Sequence, residues 1–439
     1  MLQNYYDIII IGAGPAGLMA AIECYSPSRK ILILEQMPKP AMKLKISGKG
    51  RCNITNDAIL SEFISHFGKN GRFLKFAFSE FFNTDLLKFF ERLGVHFKLE
   101  RGGRYFPEND NALEIVKALL NKIKSMNIFI SPNSEITEIA KLPDKHFSLK
   151  IHKKNFKQNK SGAGIKITAN IVVLASGGKS YPQTGSKGAG YKIATSLGHT
   201  VTPISPALVP IETKGEDANR LQGLSLRNVR VYIWSGNKKV DGGFGEMVFT
   251  DFGLSGPIIL FLSKGIVKLL KEKQKVMISI DLKPALDHKM LDQRLLREIT
   301  NHSKQSFNNL LKKLLPRKLI PLFIEKLKIS EKKQLNQINS EERKKLRTLL
   351  KNFQLEVIGY KSYDHAIVTS GGISIKEINP QTMESKIIRG LYFAGEIIDI
   401  DADTGGFNLQ AAFSTGWIAG QAINSALNQT QKKRILDVR

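Results

Sequence analysis

The stretch from Asp7 to Gln36 constrains this chain more than any other. DIIII (7–11) is a continuous apolar run dominated by β-branched residues, the pattern of a parallel strand buried on both faces. GAGPAG (12–17) follows, then a short helix through LMAAIECY, and KILILEQ (30–36) completes a βαβ unit. In this context Gly12, Gly14 and Gly17 have distinct tasks: a tight turn, close approach of backbone to a pyrophosphate, and close packing of helix on strand. Ala16 belongs to the same turn. Glu35 ends the second strand 23 residues after Gly12, placed to accept hydrogen bonds from a ribose diol.

The remainder of the chain reads as additions to that unit. Residues 72–93 and 110–124 have helical patterns, and 126–175 is a meander of short strands (NIFIS, EITEIA, HFSLKIH, IKITANIVVLA) with a polar insertion at 153–164. IVVLASGG (171–178) is expected to be a buried strand ending in a glycine turn at the centre of the fold. From Pro203, short β-like segments separated by Gly and Pro predict a mixed or antiparallel β region. Residues 286–353 have helical periodicity, with Leu291, Leu295 and Ile299 on one face and Leu346, Leu349, Leu350 and Phe353 on another. Glycine-rich strand-and-turn character returns after Gly359. The expected fold is α/β: a discontinuous Rossmann-like dinucleotide-binding domain with an inserted mixed β domain and a helical subdomain. The boundaries are 1–200 (including the meander at 126–175), 201–285, 286–355 and 356–439.

The first βαβ unit alone does not choose between FAD and NAD. The strand–turn at 171–178 and the strand GLYFAGEIID near the C-terminus favour FAD, covered by a distal segment that returns to the first unit. A second GxGxxG after a matching strand is missing, so NAD(P)H is expected only as a transient reductant. Composition adds a partner question. The formal charge is +27, with eight lysines against one aspartate in 141–170 and 23 Lys or Arg against ten Asp or Glu in 261–360. Such a balance favours polyanionic partners, although general lysine enrichment produces the same count. Two cysteines, Cys24 and Cys52, exclude a disulfide scaffold and a thiolate metal site. The histidines form no tight metal constellation, so no metal is expected. With neither a signal-peptide pattern nor an apolar run long enough to span a bilayer, a cytoplasmic location and no stable membrane association are expected.

Several motifs together carry a family resemblance over essentially the whole chain. They are GAGPAG (12–17), KLKISGKGRCNITN (43–56), GGRYFP (102–107), ASGGKSYPQTGSKGAGY (175–191), FTDFGLSGP (249–257), TSGGI (369–373), TMESK (382–386) and LYFAGEIIDIDADTGGFNLQAAFSTGWIAG (391–420). The combination resembles a bacterial family of FAD-binding, NAD(P)-linked oxidoreductases that includes dehydro-bile-acid reductases and ribosomal RNA dihydrouridine synthases. The resemblance implies FAD contacts from Gly12, Gly14, Ala16, Gly17 and Glu35, and from Lys43, Gly48, Arg51 and Asn53. It also implies contacts from Gly177 and Gly178, and from Gly395, Glu396, Asp399, Gly405, Gly406, Asn408 and Leu409. Asp251 stands where the family commonly has histidine, so it receives no acid–base role.

Catalytic candidates cluster around SGKGRCNITN. Lys43 and Arg51 can offer positive charge to a pyrophosphate or to reduced flavin. Asn53 can hold the loop by side-chain hydrogen bonds. Cys52 reads either as a buried packing residue or as a general acid. Tyr181 can donate to a substrate carbonyl or pack with its hydroxyl satisfied, while Lys179 can meet phosphate or substrate. His199 reads as a cap or a core polar residue, and Cys24 as core. The family resemblance implies reduction of activated C=C bonds in two substrate classes. The positive charge selects the uridine C5=C6 bond of large-subunit ribosomal RNA, bound through basic surfaces. A small-molecule enone such as a dehydro-steroid acid is the alternative. A flavin-containing RNA-binding protein without catalysis, and amine oxidation, are further readings.

Overall fold

The computed structural model describes residues 2–155, 160–161 and 164–437. Half of the polar insertion expected at 153–164 lies outside them. The chain divides into two compact units, Met1–Pro206 with Ile367–Arg439, and Ala207–Ala366.

The first unit is built on the expected βαβ. The strand Tyr5–Ile11 lies parallel to Ile31–Leu34 on one side and to Ile165–Leu174 on the other, with Phe129–Ser131 beyond Ile31–Leu34. Its isoleucines Ile8, Ile9 and Ile10 have no exposed surface, as a strand covered on both faces requires. The ten-residue strand Ile165–Leu174 explains a change of period in the sequence. Its first half, IKITA, alternates and pairs antiparallel with the meander strand Phe147–Asn155. Its second half, IVVL, is buried on both faces, and Val172–Leu174 pairs parallel with Leu391–Phe393. That last pairing makes the domain discontinuous, because a strand from the C-terminal part completes the sheet begun at Tyr5. The expected Rossmann-like α/β core is therefore present, with the inserted β region between its two parts.

The helix beginning at Phe407 lies against Pro15–Glu23. Close approach is possible because Gly416 and Gly420 have no side chains. A Cβ at Gly416 would stand 2.3 Å from the Ala16 carbonyl oxygen, and one at Gly420 2.8 Å from that of Ala20.

The second unit is a closed six-stranded barrel in the order Ile211–Thr213, Gly253–Ser255, Lys238–Phe249, Ser225–Ser235, Val276–Asp281 and Phe353–Tyr360. The last strand closes the barrel against the first. The helices His288–Asn301, Phe307–Leu314, Ile320–Leu327 and Ser340–Lys351 bury their apolar faces in the same core as the barrel. Leu291, Leu295 and Ile299 are buried together on the first of them, as the periodicity requires. Among the described residues no helix is long and apolar enough to cross a membrane.

Candidate functional site

The glycine turn leaves a slot of defined shape. A Cβ at Gly12 would come within 2.4 Å of the Ala175 carbonyl oxygen, and one at Gly17 within 2.0 Å of the Gly12 carbonyl oxygen. Gly14 differs: a Cβ there would meet nothing within 4 Å. The space before Gly14 is thus open, and it faces the N-terminus of Pro15–Glu23, whose cap residue offers no side-chain acceptor. Uncapped N–H groups at the positive end of a helix suit a pyrophosphate. Glu35 stands beside this turn, 8% exposed, with Oε2 accepting from Ala13 N at 2.9 Å and Oε1 from Met37 N at 2.8 Å. Burial pushes its carboxyl above the usual range, and backbone N–H bonds from Met37, Ala13 and Gln36 oppose that shift. The loop through Gly185 lies over this corner, held by a hydrogen bond from Gln36 Nε2 to the Gly185 carbonyl.

A polar network joins four segments distant in sequence. Lys43 Nζ donates to Ser180 Oγ at 2.7 Å and to Glu396 Oε2 at 2.6 Å. Glu396 Oε1 accepts from Ser180 Oγ and from Thr369 N, each at 2.8 Å. Thr369 Oγ1 in turn accepts from Lys179 N at 2.7 Å and Ser180 N at 3.1 Å. Gly178 permits this convergence, since a Cβ on it would stand 2.5 Å from Thr369 Oγ1. Gly177 precedes it with the Ser186 hydroxyl close by. Lys43 and Glu396 were read from the sequence as site residues, whereas Ser180 and Thr369 were not singled out. Tyr181, next in the loop, is half-buried, and its hydroxyl meets no protein partner among the described residues.

The C-terminal segment is clamped on several sides. Gly395 N donates to Thr415 Oγ1 at 2.9 Å, and a Cβ at Gly395 would press on Ala16 at 2.8 Å. The Asp399 carbonyl accepts from Asn70 Nδ2 at 2.7 Å. Asn408 Oδ1 accepts from Ala402 N at 2.9 Å, while its Nδ2 donates to the Ala402 carbonyl at 2.8 Å and to that of Asp403 at 3.1 Å. Gly405 and Gly406 have φ of +143° and +99°, and a Cβ at Gly406 would lie 2.4 Å from the Thr55 carbonyl oxygen. Asn56 Nδ2 bridges to the carbonyls of Gly405 and Gly102, each at 3.0 Å. Leu409 is half-buried and packs on the main core. Sequence reasoning missed one pair here. His66 Nδ1 lies 2.9 Å from Asp403 Oδ2, and the ring stacks on Phe407 with centroids 3.9 Å apart. No local pattern signals a contact across 337 positions.

Two candidates from SGKGRCNITN have closely defined surroundings. Arg51 has its guanidinium committed to Glu100 and Asp110, 2.6 Å from the latter, and lies 4.1 Å over the Phe106 ring. Its charge is compensated within a small sheet formed by Phe97–Glu100, Arg104–Pro107 and Thr55–Asn56. Cys52 has no exposed surface, and burial pushes its thiol up to about 12, with Ser47 opposing the shift weakly. Burial of this kind suits the packing role, one of the two readings open from the sequence. Gly48 passes close to Asn53 N, where a Cβ would stand at 3.0 Å. Asn53 Oδ1 and Ser176 Oγ are buried without a protein partner, leaving two acceptors beside the glycine turns. Among the described residues no group of three or more His, Cys, Asp and Glu is arranged to hold a metal ion.

The family model described as "HI0933-like protein Rossmann domain" matches residues 6–422. The chain belongs to the HI0933-like family of FAD-binding oxidoreductases. Within the family, it is 31% identical over 422 residues to the ribosomal RNA dihydrouridine synthase of Escherichia coli, covering 96% of this chain and 98% of the relative. It is 29% identical over 415 residues to the 3-dehydro-bile acid delta(4,6)-reductase of Clostridium scindens, covering 94% and 98%. Among solved structures, the 3-ketosteroid delta1-dehydrogenase of Sterolibacterium denitrificans superposes with a TM-score of 0.53 at 11% identity, covering 97% of this chain and 100% of that one. A flavocytochrome c3 fumarate reductase gives a TM-score of 0.52 at 16% identity, covering 96% and 78%. These structural likenesses concern the fold alone. Family and fold make the protein a flavin-dependent oxidoreductase. The residues present fit FAD: the Gly14 slot, the uncapped helix end, buried Glu35 and the two unpartnered acceptors all suit a polar dinucleotide.

Proposed function

We propose that this protein is a flavin-dependent reductase of a carbon–carbon double bond conjugated to a carbonyl, acting on a small molecule such as a dehydro-steroid acid. The end-to-end similarity to the Clostridium scindens bile acid reductase carries this reading. Part of the expected basic patch is engaged by the protein itself. Within 141–170, Lys153 Nζ donates to Ser131 Oγ and the Pro132 carbonyl. Lys141 donates to the Arg389 carbonyl and lies 3.7 Å over the Phe147 ring. Both lysines are tied to the protein's own sheet, and the side chains of Lys154, Lys157 and Lys160 lie outside the described residues.

When bound, FAD supplies hydride to an electron-poor carbon. The chain's own residues do the rest. The Gly14 slot and the helix N-terminus hold the pyrophosphate, and Glu35 the ribose diol. Gly177, Gly178, Gly395, Gly405, Gly406, Asn408 and Leu409 shape the wall against the remaining cofactor. Lys43, fixed by Ser180 and Glu396, presents positive charge on a preorganised network. The unpartnered Tyr181 hydroxyl donates to the substrate carbonyl. NAD(P)H is the proposed electron donor, docking transiently.

A second reading keeps uridine in ribosomal RNA as substrate. It rests on the similarity to the Escherichia coli dihydrouridine synthase and on the charge of residues 207–366, which contain 30 Lys or Arg against 17 Asp or Glu. The test is to prereduce the holoenzyme anaerobically and add either a 3-oxo-4,6-diene bile acid or modification-free ribosomal RNA. Flavin reoxidation is followed together with product mass. Reoxidation by the steroid is expected. Reoxidation by RNA alone replaces the first reading with the second, and reoxidation by neither overturns both.

A further inference from the structure

We propose that His66 is the proton donor of the reduction and that Asp403 is the residue that positions it. The inference rests on the reading above that the substrate is a double bond conjugated to a carbonyl. Hydride addition at the β-carbon must be completed by a proton at the α-carbon, and one candidate from the sequence, Cys52, is sealed in the core.

His66 has the features a donor needs. Its Nδ1 lies 2.9 Å from the Asp403 carboxylate, which occupies that nitrogen and leaves the second ring nitrogen for a proton transfer. No protein group among the described residues meets Nε2. The side chain is 28% exposed, neither sealed nor fully in water. Its orientation is fixed twice over, by the carboxylate and by stacking on Phe407 at an interplanar angle of 21°. Asp403 is itself held, because Asn408 binds its carbonyl, Asn70 binds Asp399 and Asn56 binds Gly405. Three asparagine side chains thus fix the loop carrying the carboxylate. A casual surface pair has no such support. The loop belongs to the glycine-rich return, Gly395 to Leu409, assigned above to the cofactor wall.

The step balances. The β-carbon receives a hydride, and the electron pair of the double bond takes the Nε2 proton at the α-carbon. One C–H bond forms at each carbon. The imidazolium becomes imidazole, and water restores its proton. Bound FAD, reduced by a donor of the NAD(P)H class, would supply the hydride and its two electrons.

The test compares the parent holoenzyme with His66→Gln, Asp403→Asn and Asp403→Glu. FAD content and the rate of reduction by dithionite should match the parent in all three. Reoxidation by the 3-oxo-4,6-diene bile acid should fall ~10²–10⁴-fold in His66→Gln, the range of a positioned general acid. It should fall ~10-fold in Asp403→Asn, with recovery in Asp403→Glu. A readout independent of turnover is carbethoxylation of His66 by diethyl pyrocarbonate, located by peptide mass spectrometry in the oxidised holoenzyme. Modification should proceed in the free protein and slow at least ~10-fold with the bile acid bound, as occlusion of an accessible nitrogen requires. Reoxidation of His66→Gln within ~3-fold of the parent, well short of a general acid's contribution, overturns the proposal. So does modification indifferent to the bile acid. If the parent responds to ribosomal RNA and not to the steroid, the substrate reading falls. The same variants, assayed on RNA, then decide the proton donor. Reoxidation of the parent by neither substrate overturns the function and the proton step together.

Discussion

The thiol of Cys52 provides a quantitative test of the core around the glycine-rich loop. Only the thiolate reacts with iodoacetamide, and a free cysteine of pKa about 8.5 is about one-quarter ionised at pH 8. With its thiol pushed up to about 12 by burial, Cys52 is ionised to only ~10⁻⁴ at that pH. The chemistry alone therefore slows alkylation by ~10³, and the absence of exposed surface adds the free energy of local opening. Labelling of Cys52, resolved from Cys24 by peptide mass spectrometry, should be at least ~10³-fold slower in the native protein than in urea. Cys52→Ala should cost about 1–2 kcal/mol of stability through the small cavity it opens. Reoxidation of its prereduced flavin should stay within ~3-fold of the parent, because a group without access to substrate supplies none of the ~10²-fold that a general acid contributes. Native labelling within ~10-fold of the unfolded rate would refute the burial argument. A loss of ~10² in reoxidation with FAD content intact would restore the thiol as acid.

Four further outcomes follow from other parts of the structure. Gly14→Ala should fold with the parent's apo-protein Tm but purify with little FAD, since the added methyl has free space and fills the pyrophosphate slot. Gly17→Ala, whose Cβ would stand 2.0 Å from a carbonyl oxygen, should lose about 1–3 kcal/mol in urea denaturation whether or not FAD is present. Glu396→Gln and Lys43→Met should each destabilise, and a double-mutant cycle should return a coupling of about 1 kcal/mol. The pair is 2.6 Å apart and largely shielded; strict additivity would contradict a direct interaction. His199 is buried, with Nε2 2.8 Å from Ser385 Oγ and Nδ1 unpartnered, and burial holds its pKa below the ordinary histidine value despite Glu377 nearby. The unfolded chain therefore binds the proton first as pH falls below about 6.5, so stability is full above that pH and declines beneath it. In His199→Gln the loss of Tm between pH 7 and pH 5 should be smaller than in the parent.

What could be read from the sequence was what local physics specifies. The continuous DIIII run, the glycine spacing and Glu35 lie within thirty residues of one another, and each has a single geometric use there. The helical face at Leu291, Leu295 and Ile299 was equally local. Closure of the barrel was not. Phe353–Tyr360 alternates inward at Phe353, Leu355 and Val357, yet it follows a helix directly and its partner Ile211–Thr213 lies far earlier in the chain. Periodicity identifies such a strand, but not the sheet that will take it. Ile165–Leu174 carried two periods in one strand and reads as two elements until both neighbours are known.

The site shows the same division more sharply. Glycines announce a cradle because their spacing is short-range, whereas charged residues announce only a charge. Arg51, embedded among glycines, was read as a cofactor contact, and in the structure its guanidinium pairs with Glu100 and Asp110. Lys43 also carries a compensated charge, but its partner Glu396 is anchored by Ser180 and Thr369, so that pair sits on a framework drawn from four segments. The difference between the two cations is therefore what holds their partners. One carboxylate pair belongs to an exposed hairpin, and the other carboxylate lies beside the strand that completes the Rossmann sheet. His66 and Asp403 extend the argument to a proton. Neither residue stands in a motif of its own, and their chemistry exists only because the loop after Asp399 is held against Asn56 and Asn70. A sequence pattern locates the place where a cofactor rests. The groups that complete the reaction are selected by which long-range contacts the fold immobilises beside it.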